Sequence, residues 1–115
     1  ITTASSSFLA SEILREKLTR RLNQELPYAL TVEIDSFEAE PDLYRIYASI
    51  WVERESQKGI VIGKQGHTLR DVSRYAREDM EKLFGVKVFL RAHVKVREGW
   101  SNDERALHSL GYQDL

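Results

Sequence analysis

The sequence predicts an α+β fold in which helices cover one face of a small, three-stranded sheet. Two segments carry apolar residues at helical spacing, and three carry them at alternate positions, as strands do. A pair of glycines, Gly63 and Gly66, separates a short apolar segment from the second long helix. The length of 115 residues, with 42% hydrophobic and 30% charged residues, suits one domain with one core.

Two long helices and a short terminal helix are predicted. The first runs from Leu9 to Leu26, is stopped by Pro27, and has the apolar positions Ile13, Leu14, Leu18, Leu22 and Leu26. The second begins at about His67, ends before Gly85, and has the apolar positions Leu69, Val72, Ala76, Met80 and Leu83. Ser101 and Glu104 form a capping box, which predicts a short terminal helix that ends by Gly111.

The three strands follow from alternation. The first follows Tyr28, places Val32 and Ile34 on the face opposite Thr31, Glu33 and Asp35, and ends near Glu38. The second runs from Tyr44 to Arg54 after turn residues 40–42, and its core face should hold Ile46, Ala48, Ile50 and Val52. The third covers residues 86–97 and has a basic, partly aromatic outer face. The element order is α-β-β-(short α)-loop-α-β-(α).

Composition excludes several classes of protein. No stretch approaches the roughly 20 apolar residues of a membrane span, and residues 1–7 lack the pattern of a secretory signal, so a soluble protein is expected. Cysteine is absent, which removes disulfides and thiolate chemistry. Three scattered histidines, His67, His93 and His108, do not suggest a metal site. The sequence shows neither a nucleophile with a base at a recognisable spacing nor a pair of carboxylates in a catalytic context, so catalysis is not expected.

The formal net charge of −1 hides a segregation of charge along the chain. Residues 31–55 contain seven acidic and two basic residues, a balance of −5, whereas residues 56–77 contain five basic residues and one acidic residue, a balance of +4. Such runs are often only solvated faces. The basic run is a candidate binding segment because it includes the two-glycine loop.

The loop Gly63-Lys64-Gln65-Gly66 is the candidate binding element. Glycines let a phosphate backbone approach closely, the following helix start offers N–H groups and a positive dipole end, and Lys64 adds a cation. The spacing alone is weak evidence, since about half of all chains of this length would contain it by chance. A nucleotide-binding P-loop is excluded because one residue is missing and Gln65 replaces the hydroxyl that binds magnesium.

This context resembles the KH domains, whose I-G-x-x-G core is similar to the segment from Ile62 to Gly66 and clamps about four nucleotides of a single strand. The helix-first order resembles the type II KH fold, αββααβ with a short C-terminal helix. Four further segments resemble the C-terminal domain of the bacterial Era GTPase family, so that the likeness spans residues 8–112: Ala10–Lys17, Glu25–Tyr28, Val52–Lys58 and Trp100–Tyr112.

The resemblance implies recognition of single-stranded rRNA at the 3′ end of 16S rRNA during assembly of the small ribosomal subunit. Residues 8–115 would form the KH domain and residues 1–7, which lack the acidic and arginine residues expected there, a linker remnant. The family's GTPase domain, with its GTP and Mg²⁺, would lie in cis outside this chain. No cofactor, no DNA and a monomer are expected for this chain. The resemblance implies a cytoplasmic protein and leaves open peripheral association of the full-length protein with the inner membrane.

The predicted RNA-binding residues comprise the loop, the apolar segment before it and basic residues on either side: Lys58, Ile60, Val61, Ile62, Gly63, Lys64, Gln65, Gly66, His67, Arg70 and Arg74. Trp51 and Phe89 could stack on bases, although packing within the protein is commoner. An alternative is a protein-docking module in which residues 60–62 and the acidic hairpin contact a GTPase domain or a ribosomal partner without touching RNA.

The clamp hypothesis makes a prediction for one variant. Because the loop must let a backbone approach closely, Gly63→Asp is expected to abolish binding of single-stranded RNA and to leave the fold intact.

Overall fold

The alternating segments form a three-stranded sheet, and the helices pack on one of its faces. The structure is a computed structural model that describes residues 3–22 and 30–98. Its elements in chain order are α1 (Thr3–Leu22), β1 (Thr31–Ala39), β2 (Leu43–Val52), α2 (Glu55–Ile62), a 3₁₀ turn (Lys64–Gly66), α3 (His67–Phe84) and β3 (Lys87–Val96). The predicted α+β class is confirmed.

The strands lie in the order β1-β2-β3, so β2 is central. β1 pairs with β2 antiparallel, as a hairpin must, whereas β3 pairs with β2 in parallel after the crossover through α2 and α3. The four residues predicted for the core face of β2, Ile46, Ala48, Ile50 and Val52, are all fully buried. Within residues 3–22 and 30–98, β3 has only one neighbour in the sheet, and no described strand pairs with its other edge.

A bulge in β1 breaks the alternation seen in the sequence. The register shifts between Ile34 and Ser36, so that Phe37 pairs with Ile46 on the core face although its number is odd. The Phe37 ring then packs edge-on against Tyr44 and Phe84, with ring centroids 5.4 and 5.7 Å away. The extra residue of the bulge, Asp35, accepts a hydrogen bond from the hydroxyl of the buried Ser49 at 2.7 Å.

The long helices bury the stripes that their periodicity predicts, with one exception. Ala10, Leu14, Leu18 and Leu22 of α1 are buried, as are Val72, Ala76 and Met80 of α3. Leu83 was expected in that stripe but is 47% exposed. The buried positions of α3 follow a spacing of four, so that Phe84 and not Leu83 continues the stripe beyond Met80.

The ends of these helices differ from the sequence-based bounds in one place. Helix α1 begins at Thr3, and Ser6 is buried, so most of the segment assigned to a linker remnant is helical here. Gly85 ends α3 in the left-handed conformation, with its N–H donating to the Glu81 carbonyl at 2.9 Å, as predicted. Leu26, Pro27 and the predicted terminal helix at Ser101–Gly111 lie outside the described residues.

Charged side chains tie α3 to its neighbours. Lys17 and Arg21 of α1 form ion pairs with Asp79 and Asp71 of α3. Glu81 accepts hydrogen bonds from the Val88 N–H at 2.9 Å and from the Arg77 guanidinium at 3.1 Å, which connects the end of α3 to the start of β3. The Val88 N–H, helped by Arg77 and Lys87 and opposed by burial, holds the pKa of Glu81 below its ordinary value of 4.5.

A lowered carboxylate pKa means that the folded state prefers the ionised form. Glu81 therefore stabilises the fold fully above about pH 4.5, and its contribution is lost as the pH falls through the folded-state pKa. We expect Glu81→Gln to unfold in less urea than the parent chain at pH 7, with the difference shrinking by pH 3. A difference in urea midpoint that stays constant over this range would contradict the assigned role of Glu81.

Candidate nucleic-acid interface

The segment Gly63–Gly66 is a tight turn that joins α2 to α3. Its two glycines have positive φ angles, 77° at Gly63 and 78° at Gly66, and Gln65 between them also lies in the left-handed region with φ 55°. The Gly63 N–H donates to the Gly59 carbonyl at 2.9 Å, and the Gly66 N–H donates to the Gly63 carbonyl at 3.0 Å. These bonds end one helix and start the next within four residues.

Gly63 is glycine for an internal reason. With φ 77° and ψ 173° it occupies a backbone region that is essentially restricted to glycine. A Cβ at this position would lie 2.2 Å from the Thr68 hydroxyl oxygen and 2.9 Å from the Thr68 backbone nitrogen. No side chain fits between α2 and the first turn of α3. The expectation that Gly63→Asp leaves the fold intact was therefore wrong.

Gly66 is different, because a Cβ there would have no atom within 4 Å. Its conformation, φ 78° and ψ 10°, is the left-handed one that asparagine and aspartate tolerate better than other residues. The side of the turn that Gly66 presents is open to an approaching ligand. Substitutions at Gly66 can therefore test binding with little effect on packing.

Positive groups gather around this open side. The Lys64, Gln65 and His67 side chains are exposed, and Arg70 reaches back from α3 so that one guanidinium nitrogen donates to the Gln65 carbonyl at 3.4 Å and another lies 3.5 Å from His67 Nδ1. In this part of the described chain the Lys64 and Gln65 N–H groups take no part in the turn's backbone bonds. Together with the N-terminus of α3, these groups can hold a phosphate.

A groove of about 540 Å³ runs beside the turn, between α3 and the free edge of β3. Its helix wall carries Leu69, Arg70 and Ser73, its end is Gly66, and its strand wall is residues 89–92. Half-buried Leu69 and Leu90 supply apolar surface, while Arg70, Ser73 and the unpaired edge of β3 supply hydrogen-bonding groups. Such a groove can take bases while the turn holds the phosphates that connect them.

The structure brings only some of the predicted site residues together. The turn residues with His67 and Arg70 are together, and Gly66 and Arg70 also line the groove. Lys58, Ile60 and Ile62 lie on α2, and Arg74 stacks over the Tyr75 ring at 4.8 Å, outside the groove lining. Val61 is fully buried, which corrects its place in the predicted interface: it anchors α2 in the core and cannot touch a ligand.

The strand wall of the groove was missed from the sequence. Phe89, a stacking candidate, is 36% exposed at the groove, but the sequence pattern does not indicate Leu90, Arg91 or Ala92 as site residues. Their position depends on the parallel pairing of β3 with β2, which local patterns do not determine. The indole N–H of Trp51 donates to Glu33 at 3.1 Å, and the Trp51 ring is not part of the groove lining.

The alternative surface for docking another protein is poorly formed. Of residues 60–62 only Ile60 is exposed, at 36%, because Val61 is buried and Ile62 is half-buried. Several acidic side chains of the hairpin already have partners: Glu33 pairs with Trp51, Asp35 with Ser49 and Glu40 with Arg45.

Among residues 3–22 and 30–98, no helix could cross a membrane and no group of three acidic or histidine side chains could hold a metal ion.

Comparisons with known proteins agree with this site. The family described as KH domain matches residues 25–101. The GTPase Era of Xanthomonas campestris pv. campestris (strain B100) is 59% identical over 112 residues, which cover 97% of this chain and 38% of that protein. The GTPase Era of Stenotrophomonas maltophilia (strain K279a) is 57% identical over 113 residues, covering 98% and 38%.

Two solved structures share the fold. A variant of Aquifex aeolicus Era bound to GDP and AlF4⁻ superposes with a TM-score of 0.85, and Era in complex with MgGDPNP and nucleotides 1506–1542 of 16S ribosomal RNA superposes with a TM-score of 0.86. Each is 33% identical and covers 92% of this chain and 36% of the solved chain.

The match over residues 25–101 and the clamp-like turn establish that the chain belongs to the KH domain family, in its type II form. Within that family, its sequence and structure match the KH domain of the Era GTPases, as the four sequence segments indicated. The chain spans little more than a third of the length of these relatives.

The two glycines should differ sharply in their effect on stability. Gly63→Ala meets both the contact with Thr68 and a glycine-only conformation, so we expect it to cost about 2–4 kcal/mol. Gly66→Ala meets only the left-handed strain and should cost about 1 kcal/mol. Urea unfolding at pH 7 measures both variants, and equal losses would refute the distinction.

Proposed function

We propose that this chain is the RNA-binding unit of an Era-type GTPase and recognises single-stranded rRNA at the 3′ end of 16S rRNA during assembly of the small ribosomal subunit. The observation that carries the proposal is the continuity of the Gly63–Gly66 turn with the groove between α3 and β3. The solved Era complex with nucleotides 1506–1542 of 16S rRNA, which shares this fold at 33% identity, supports the choice of target.

Binding divides between the two parts of the interface. The turn holds the sugar-phosphate backbone through the N–H groups of Lys64 and Gln65, the N-terminus of α3 and the charges of Lys64 and Arg70. Four or so bases enter the groove, where Leu69 and Leu90 contact their faces and the free backbone groups of β3 are available to their edges. Phosphate contacts supply affinity, and base contacts supply sequence preference.

The proposed role of the full-length protein rests on the same relatives. In this proposal GTP and Mg²⁺ bind a GTPase domain in cis, and the KH domain itself catalyses nothing. The KH domain acts as a monomer and does not bind DNA. The full-length protein works in the cytoplasm, with peripheral contact to the inner membrane as part of the proposal. Support comes from Era relatives of which this chain spans 38%.

The turn is tested at Gly66, where a side chain has space. We expect Gly66→Asp to weaken binding of an oligonucleotide from the 16S 3′ end at least tenfold, because the carboxylate faces the phosphates. Gly66→Asn is the matched control, since it has the same size and the same tolerance of the left-handed conformation but no charge. Fluorescence anisotropy gives the affinities, and circular dichroism checks the fold.

The outcomes separate the two candidate functions. RNA affinity should also fall steeply with rising salt, which an apolar docking surface would not show. If Gly66→Asp binds RNA as tightly as the parent chain, the turn is not the clamp. If Gly66→Asn weakens RNA binding as much as Gly66→Asp does, the loss of affinity comes from the size of the side chain and not from its charge.

A further inference from the structure

The face of the sheet opposite the helices carries a column of cations and aromatic rings along β3. Every second residue from Lys87 to Arg97 is exposed, whereas those between them are buried or half-buried. The exposed set, called here the β3 column, is Lys87, Phe89, Arg91, His93, Lys95 and Arg97. Among the described residues none of its four cations forms an ion pair with a carboxylate.

The column is continuous with the groove. Phe89 and Arg91 belong to the groove lining and also pair in register with Arg45 and Tyr47 of β2, whose side chains lie on the outer face. They can occupy both surfaces because β3 lies at the edge of the sheet, and none of the described strands covers that edge. A chain that leaves the groove over this rim meets His93, Lys95 and Arg97 next.

The rest of the outer face directs an anion towards β3. Glu33, Asp35 and Glu38 lie on β1, two strands or roughly 9.5 Å away, and repel phosphates from that side. The strand between them contributes Tyr47 and Trp51, whose rings stand beside the column: Phe89 lies 5.9 Å from Tyr47, and the Lys95 ammonium lies 5.5 Å from Trp51. The face is thus acidic at one edge and basic and aromatic at the other.

We propose that the β3 column is a second RNA-binding surface, which takes the single strand as it leaves the groove and carries it over the edge of β3 along Arg91, His93, Lys95 and Arg97. Side chains on one face of a strand repeat about every 6.6 Å. Along the path Arg91 and Lys95 therefore flank the His93 ring, and Arg97 follows Lys95. Cations meet successive phosphates and the rings of His93 and Trp51 offer stacking surface, as in sequence-tolerant single-strand sites. This inference rests on the proposed function, since the groove supplies the strand.

Oligonucleotide length separates the two surfaces. A four-nucleotide RNA fills the turn and groove, whereas a ten-nucleotide RNA of the 16S 3′ end reaches the column as well. We expect the double variant Lys95→Gln and Arg97→Gln to lower affinity for the ten-nucleotide RNA several-fold and to leave affinity for the four-nucleotide RNA unchanged. The slope of log affinity against log salt should fall by about 1.4 for the longer RNA alone.

The control is a double variant that removes the same number of positive charges from another part of the surface. Arg15→Gln with Lys82→Gln removes two exposed cations from α1 and α3, away from both surfaces, and should affect neither length. The 115-residue chain is titrated by calorimetry. Independently, the indole N–H signal of Trp51 should shift on adding the longer RNA and stay in place with the shorter one, and this needs no variant.

Each outcome decides between the surfaces. Equal affinity of the parent chain and the Lys95 and Arg97 variant for the ten-nucleotide RNA overturns the inference, as does a loss shared by both lengths or by the control. Gly66→Asp is measured in parallel, because failure of the proposed function appears there as unchanged binding at both lengths.

Discussion

The contact between Gly63 and Thr68 is the constraint on which the binding surface depends. The backbone of α2 comes so close to the first turn of α3 that a Cβ at Gly63 would lie 2.2 Å from the Thr68 hydroxyl. This closeness lets α2 end and α3 begin within four residues, and it leaves the open side of the turn to Gly66. It also fixes where α3 starts, and therefore which side chains of α3 face β3 across the groove.

The groove itself needs a second condition, that β3 is an edge strand. The hairpin pairs β1 with one edge of β2, and the crossover through α2 and α3 places β3 in parallel along the other edge of β2. An unpaired edge is a liability in most sheets because its backbone groups can pair with another chain. Here the helical layer and the cationic side chains of β3 leave that edge accessible to a nucleic acid while its charge opposes pairing with a second copy.

The near-neutral net charge fits this arrangement because the charges are separated in space. Acidic side chains of β1 are engaged by hydrogen bonds from Trp51 and Ser49 across the sheet. Basic groups lie around the turn and along β3. A phosphate near the turn or β3 therefore meets a local field far more positive than the formal charge of −1 suggests.

The sequence by itself determined the elements and the turn. Periodicity located α1, α3 and the three strands, Gly85 marked the end of α3, and the two glycines with their neighbours indicated the clamp, because these features depend on residues close together in the chain. Tertiary structure decided the rest. The bulge at Asp35 moved Phe37 into the core, and Phe84 took the place expected for Leu83. Burial removed Val61 from the interface, and parallel pairing brought residues 89–92 to the groove. Contacts between distant segments set all of these, and no local pattern encodes them. The roles of the two glycines also separated only in three dimensions: both have positive φ, but only Gly63 has Thr68 against it.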